Sequence, residues 1–338
     1  MMAVKLLSRL SAHRTVLLAV CMVLVVVGYM VSSFQAAEKT NKLLVRSQSH
    51  AQGLMDFIQQ LAYEVTETYR TSLETPVQLC SNSTSTLAIV VPYRNREAHL
   101  KVFLPWMRRH LLAEHARRLE QWSQGLQDQA NPPVCQFAKF VIVEQADNTP
   151  FNRAWLLNIG SAYAYSEYGA DVLSLHDVDT LPLDGVHYLN VPPLPLQLSG
   201  EIDRYGFVPH YPANAGGVNL LQYSQFAAFN GFSNGFDGWG AEDDDFFHRL
   251  ESVGLIERAG IMNRPPVGHG RFFTLSSKDH TERDKSGYSE RMQQTYGRSY
   301  DAESNAADGL STLRYHLKDA IALADDTVVL KVVRKPSH

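Results

Sequence analysis

The sequence predicts an α/β protein built on a mostly parallel central sheet and preceded by one membrane-spanning helix. Short apolar runs of strand length, at 87–91, 140–143 and 172–175, alternate with segments whose apolar residues recur at helical spacing. Repeated β-α-β of this kind builds parallel sheets that bind ligands at the carboxyl ends of their strands. The third run passes directly into His176-Asp177-Val178-Asp179, an acidic pair at such a strand end. At the N-terminus, residues 16–31 are an unbroken run of apolar and small residues, extendable over 15–34.

A helix of roughly 20 apolar residues spans a bilayer core. Lys5, Arg9 and Arg14 precede the run, which keeps residues 1–14 cytoplasmic and sends the remainder across. The alternative is a cleaved signal peptide. The run is long for that purpose and a stem-like segment follows, so 15–34 is read as a type II signal-anchor. Residues 35–85 are polar, with Leu54, Phe57, Ile58, Leu61, Val65 and Tyr69 at helical spacing; a self-associating stem helix and an amphipathic spacer both satisfy that pattern. Pro76 and the Ser/Thr/Asn cluster at 81–86 mark a boundary.

Beyond it, Leu87-Ala88-Ile89-Val90-Val91, ended by Pro92, reads as a buried strand. Residues 100–112 read as a helix, and the charged, Gln-rich 114–130 as an inserted surface helix. A strand at 140–143, a helix at 154–168 and a strand at 172–175 follow. Pro-rich 192–195 divides this donor-type half, 86–190, from a second half, 191–330.

A net charge of −4 across 338 residues points away from nucleic acid as a partner. Cys21 lies in the membrane run, leaving Cys80 and Cys135 as the only lumenal pair. An oxidising compartment permits a bridge between them, and spacing does not show that they meet. Asn82-Ser83-Thr84 is a glycosylation sequon.

Asp177 and Asp179 alternate about Val178, so in extended chain both carboxylates share a face. Two hard oxygen ligands suit Mg²⁺ or Mn²⁺, which offsets the charge developing on a diphosphate leaving group. A solvated turn is the bland reading. The second constellation is Gly238-Trp239-Gly240-Ala241-Glu242-Asp243-Asp244-Asp245, ahead of an apolar helical stripe at Phe246, Phe247 and Leu250. The helix dipole explains one or two acids in a first turn, whereas four repel one another. A carboxylate here is a candidate general base for an acceptor hydroxyl. Trp239, between glycines, could stack on a sugar or pack in the core. Arg94 and Arg96, after the first strand, are candidates for phosphate or ribose oxygens. Phe151-Asn152-Arg153 opens a helix and offers a ring for a base and a cation for a phosphate. Gly216-Gly217 permits close backbone approach to a ligand, or marks a turn. The histidines at 187, 248 and 316 read as structural.

Together these segments resemble the β-1,4-galactosyltransferase family. The matching stretches are Val91-Pro92-Tyr93-Arg94-Asn95-Arg96, Phe151-Asn152-Arg153-Ala154, His176-Asp177-Val178-Asp179-Thr180-Leu181-Pro182, Ala215-Gly216-Gly217 and Gly238-Trp239-Gly240-Ala241-Glu242-Asp243-Asp244. They fall in the family's order over roughly 86–318, ending with Asp308-Gly309-Leu310-Ser311-Thr312-Leu313-Arg314-Tyr315-His316. The stretch 87–111 is most similar to the xylosylprotein branch, which adds galactose to the xylose of the proteoglycan linker.

The resemblance implies a GT-A type fold, UDP-galactose as donor, Mn²⁺, an inverting displacement, and a single-pass Golgi membrane protein with a lumenal catalytic domain. It implies that Pro92, Arg94, Arg96, Phe151 and Arg153 hold the nucleotide, supported by Asp177, and that Asp179 ligates the metal. Trp239 and Glu242 line the sugar site. Asp243 deprotonates the acceptor hydroxyl, while Tyr211, Gly217, Trp239 and Asp244 face the acceptor, a glycan in which xylose leads.

Three positions depart from the family. Thr274-Leu275-Ser276 stands where its metal-binding His-x-His belongs, and hydroxyls are poor substitutes for imidazole. His269 and His280 lie nearby at other spacings. Asp237 replaces a Trp, and Asn214 an aromatic. The leading expectation is galactosyl transfer. The alternatives are a non-catalytic nucleotide- or glycan-binding descendant and a divalent-metal phosphohydrolase, and the ordered Arg and Phe-Asn-Arg motifs speak against the last.

Overall fold

The computed structural model describes residues 85–125, 136–275 and 286–335. The expected anchor at 15–34, the stem, Cys80, Asn82, Cys135, Ser276 and His280 lie outside the described residues. Among the described residues, no helix is long and apolar enough to cross a membrane.

The described chain runs β1 (Ser85–Tyr93), α1 (Glu97–Ser123), β2 (Gln136–Gln145), α2 (Arg153–Tyr168), β3 (Val172–Leu175), β4 (Thr180–Pro182), β5 (Leu196–Gln197) and β6 (Glu201–Ile202). It continues through β7 (Asn219–Gln222), α3 (Tyr223–Ala228), α4 (Glu242–Ser252), β8 (Arg271–Thr274), α5 (Tyr288–Gly297), α6 (Ala302–Ala306), β9 (Tyr315–Ala324) and β10 (Thr327–Arg334). Seven strands form one sheet in the order β5-β7-β3-β1-β2-β10-β9, and β4-β8-β6 form a second. The four central strands β3, β1, β2 and β10 are mutually parallel, while β7, β5 and β9 pair antiparallel at the edges.

Strand β1 shows why its sequence is a continuous apolar run. Leu87, Ile89 and Val91 face one layer with Phe103, Met107 and Leu111 of α1. Ala88 and Val90 face the other, with Trp155, Leu156 and Ile159 of α2. A strand covered on both faces has no polar side to display. Helix α2 approaches the sheet closely because Gly160 has no side chain; a Cβ there would lie 2.3 Å from Val90. Asn152 caps α2 by accepting from Trp155 N at 2.7 Å, and Gly169 ends it in the left-handed region.

The expected boundary between a helix at 100–112 and a surface helix at 114–130 is absent. Helix α1 is one piece of 27 residues running through Pro105, and positions 126–130 lie outside the described residues. Glu114, expected on the surface, is fully buried. Its carboxylate accepts the Tyr188 and Leu189 amides at 2.9 and 3.0 Å. Two backbone donors on a carboxylate offset the cost of taking a charge out of water.

Candidate active site

The loops after the parallel strands carry the predicted donor residues. Pro92 and Tyr93 end β1 in the buried layer, and Arg94 leaves it with Nη1 donating to the Thr149 carbonyl at 2.7 Å. Its guanidinium lies over the Phe151 ring, 5.2 Å from the centroid. Arg94 and Phe151, 57 positions apart, thus form one cation–aromatic wall. Arg96 stands at the N-cap position of α1.

At the next strand end the expected extended segment is instead a turn, closed by Thr180 N donating to the Asp177 carbonyl at 3.3 Å. Val178 is buried in it while Asp177 and Asp179 are half-exposed. Asp177 accepts from Arg153 Nε at 2.7 Å, and Arg153 Nη2 donates to the Gly217 carbonyl at 2.8 Å. Burial works against the Arg153 charge, but Asp177 and Glu242 outweigh it and its pKa is raised. Beneath them His176 is fully buried, with its ring nitrogens committed to the Asp177 carbonyl and the Tyr188 hydroxyl, both at 2.9 Å. Burial lowers its pKa to about 3, so the imidazole is a neutral support that fixes the acidic turn.

The four acids of α4 have four different surroundings. Asp245 is buried in an ion-pair cluster with Arg249 at 2.8 Å, Arg298 at 3.1 Å and the Tyr300 hydroxyl at 3.0 Å. Asp244 accepts the Tyr211 hydroxyl at 2.8 Å. Glu242 and Asp243 lie close enough to Arg153 for their charges to interact. Burial raises the pKa of Glu242, whose Oε2 is buried without a hydrogen-bond partner. Asp243 is pushed from 3.8 to about 8 by burial, then by Glu242 and Asp244. Gly216 backs directly onto this carboxylate: a Cβ there would stand 2.7 Å from Asp243 Oδ2. The glycine pair is therefore a close approach, and Gly217 also adopts φ +78°.

The three departures have local explanations. Asp237 forms an ion pair with Arg334 of β10 and accepts Asn152 Nδ2 at 2.9 Å, tying the Trp239 loop to the start of α2. Asn214 accepts the Gly216 amide at 2.9 Å and shapes the glycine turn. Thr274 pairs with Thr180 across β8 and β4, and Leu275 N donates to the Asp179 carbonyl at 2.7 Å. The substituted segment therefore lies alongside Asp179.

His269 has Nδ1 at 3.2 Å from the Gly185 carbonyl, in the loop after β4. Among the described residues, no group of three or more His, Cys, Asp or Glu is placed to hold a metal ion. The acidic turn offers a hard oxygen donor in the Asp179 carboxylate, whereas Thr274 is turned to Asp203, its amide donating to Oδ1 at 3.0 Å. A single carboxylate suits Mg²⁺ or Mn²⁺ held largely by substrate phosphates.

Sequence reasoning did not single out α5. Its Arg291 donates to the carbonyls of Asp237, Ser286 and Trp239 at 2.8, 2.8 and 2.7 Å, and its Tyr288 stacks on Trp239. No motif flagged these residues, because they act on backbone and on an aromatic face.

Comparison with known proteins agrees with this geometry. Residues 45–191 match the model of the N-terminal region of glycosyl transferase group 7, and 196–278 match a model described as the N-terminal domain of galactosyltransferase. The chain is 31% identical over 229 residues to β-1,4-galactosyltransferase 5 of Mus musculus, covering 68% of this chain and 51% of that protein. It is 33% identical over 234 residues to β-1,4-galactosyltransferase 1 of the same species, covering 69% and 51%. The match thus spans about half the length of these curated relatives. Among solved structures, the catalytic domain of Drosophila β-1,4-galactosyltransferase 7 with xylobiose superposes with a TM-score of 0.56 at 27% identity, covering 75% of this chain and 96% of that one. A mutant of that enzyme in complex with manganese, UDP-Gal and xylobiose gives 0.56 at 26% identity, with the same coverage. The architecture is the GT-A-like α/β fold of these neighbours. The chain belongs to the β-1,4-galactosyltransferase family.

Proposed function

We propose that this chain transfers galactose from UDP-galactose to a sugar hydroxyl with inversion, and that Asp243 is the general base. The observation that carries this reading is the position of Asp243, which is half-buried against Gly216 and beside the Arg153–Asp177 pair. A base is most effective when its pKa lies near the working pH, and the surroundings of Asp243 raise it toward that range.

In this reading Arg94 and Phe151 receive the nucleotide, with Arg96 at the rim. Arg153 places fixed positive charge near the leaving diphosphate. The acceptor oxygen forms its bond to the anomeric carbon as Asp243 takes the hydroxyl proton. The bond to the diphosphate breaks on the opposite side and UDP leaves. Glu242 and Trp239 line the galactose, while Tyr211, Gly217 and Asp244 face the acceptor. Asp179 would hold a divalent ion, Mn²⁺ or Mg²⁺, which when bound offsets charge on the diphosphate. The xylose of a proteoglycan linker is the acceptor we favour, because the structural neighbours carry xylobiose. A Golgi membrane protein anchored through 15–34, with donor and acceptor halves at 86–190 and 191–330, accords with this chemistry.

The test is transfer from UDP-galactose to a xyloside and to an N-acetylglucosaminide, for the chain and for Asp243→Asn. Transfer to a xyloside that disappears in the variant supports the reading. UDP binding without turnover on either acceptor would instead identify a non-catalytic binding protein.

A further inference from the structure

The last strand of the central sheet ends between two loops. Strand β10 runs parallel to β2, with Val332 beside Gln145, so both strands deliver their carboxyl ends to the same edge. The first loop, residues 146–152, leads from β2 to α2 and carries Phe151. The second, residues 236–241, leads into α4 and carries Trp239 between two glycines. Irregular chain with a glycine on either side of its large ring has little local preference for one path. Its position is therefore set by what fastens it.

Arg334, the final residue of β10, reaches both loops. Its amide donates to Asp147 Oδ2 at 2.9 Å. The other oxygen of Asp147 accepts the Thr149 amide and Gln145 Nε2, each at 3.0 Å. Thr149 in turn offers its carbonyl to Arg94. The guanidinium of Arg334 lies over the Trp155 ring, 5.5 Å from the centroid. It grips Asp237 as a fork, with Nη1 on Oδ2 at 3.1 Å and Nη2 on Oδ1. Beside Asp237, the Gly238 amide donates to the Phe151 carbonyl at 2.9 Å, so the two loops meet. A carboxylate at 237 is what permits the fork, since an indole there offers no acceptor.

We propose that Arg334 is a positioning residue that docks the Trp239 loop on the Phe151 loop and so sets where the Trp239 ring stands. Its main chain holds one loop and its side chain the other. A guanidinium and a carboxylate joined by two bonds share a plane, so the fork fixes orientation as well as separation. Trp155 covers one face of the guanidinium and restricts how it can turn. The side chains of Arg334 and Asp237 are 31% and 40% exposed, which keeps the pair moderate in strength and open to screening by salt. What the docking does for turnover rests on the galactosyl-transfer reading; the docking itself does not.

The test is hydrogen exchange at the Gly238 amide without UDP, with calorimetry of UDP binding and transfer kinetics beside it. Arg334→Met removes the charge but keeps the amide on Asp147 and an apolar stem on Trp155. Exchange at Gly238 quickens about three- to fivefold, near the upper end for an exposed ion pair. Amides of β1 and the affinity for UDP stay within about twofold. Wild-type exchange at Gly238 rises toward that of the variant in about 1 M salt, whereas the variant does not respond. Asp237→Asn has the same effect, and the double variant exceeds neither single one, because all three remove one interaction. Arg334→Lys recovers part of the protection. Turnover in Arg334→Met falls about three- to fivefold in kcat with KM for UDP-galactose held, since Trp239 lines the sugar and not the nucleotide. Unchanged exchange at Gly238, equal quickening in β1, or additive effects in the double variant overturn the positioning role, as does wild-type kcat in Arg334→Met. Faster exchange at Gly238 while no form of the chain transfers galactose upholds the docking and defeats the transferase reading instead.

Discussion

Replacing Asp243 with Asn should inactivate the enzyme and stabilise the fold at the same time. The carboxyl titrates at about 8 in the folded protein against 3.8 ordinarily, because burial and two neighbouring acids oppose its charge. A raised folded pKa means that the native state binds the proton more tightly than the unfolded chain. That stability is fully present below about pH 4 and is lost as pH rises to about 8. The slope for one proton is about 1.4 kcal/mol per pH unit. Asn carries no charge, so its fold escapes this decline. Glu242 and Asp244, also raised by burial, retain part of the slope, and the variant at pH 8 gains on the order of 2–5 kcal/mol. Turnover should fall roughly 10²–10⁴-fold with the loss of the base. Denaturant unfolding from pH 4.5 to 9, alongside turnover, measures both. Wild-type turnover in the variant, or an unchanged pH slope of stability, refutes the assignment.

Other outcomes follow from the same geometry. Wild-type turnover should rise with pH through neutrality as Asp243 loses its proton; an acid limb near pH 4 would place the base elsewhere. Gly216→Ala pushes a methyl group to within 2.7 Å of Asp243 Oδ2; turnover should fall roughly 10–100-fold while melting temperature and UDP affinity hold. Asp179→Ala should abolish the gain in UDP affinity that a divalent ion provides, and calorimetry with Mn²⁺, Mg²⁺ and EDTA reads this directly. Glu114→Ala strands the Tyr188 and Leu189 amides in the core and should cost about 2–5 kcal/mol of stability, measured by denaturant unfolding.

The sequence carried the parallel core legibly because β1, β2 and β3 are buried on both faces and have no polar alternation to confuse them. It also placed Val178 in the core, but the extended alternation expected of Asp177 and Asp179 is a turn, closed by Thr180 N on the Asp177 carbonyl. It failed where one residue type serves opposite purposes. Glu114 lies in a charged stretch, and only the Tyr188 and Leu189 amides, 74 and 75 positions away, reveal that it is a buried acceptor. Asp243 and Asp245 are equivalent by pattern, yet one lies half-buried against Gly216 and the other is buried against Arg249. The joining of β10 to β2 was invisible, because pairing across 187 positions leaves no local trace. Tyr288 was likewise silent until α5 packed against the Trp239 loop.

The most direct test of the central claim is the linkage of the product. The chain is incubated with UDP-galactose labelled at the anomeric carbon and a xyloside, and the product is examined by NMR. The account predicts galactose joined in the β configuration to O4 of xylose, with one UDP released per bond formed. An α linkage, or free galactose in place of a glycoside, would contradict it.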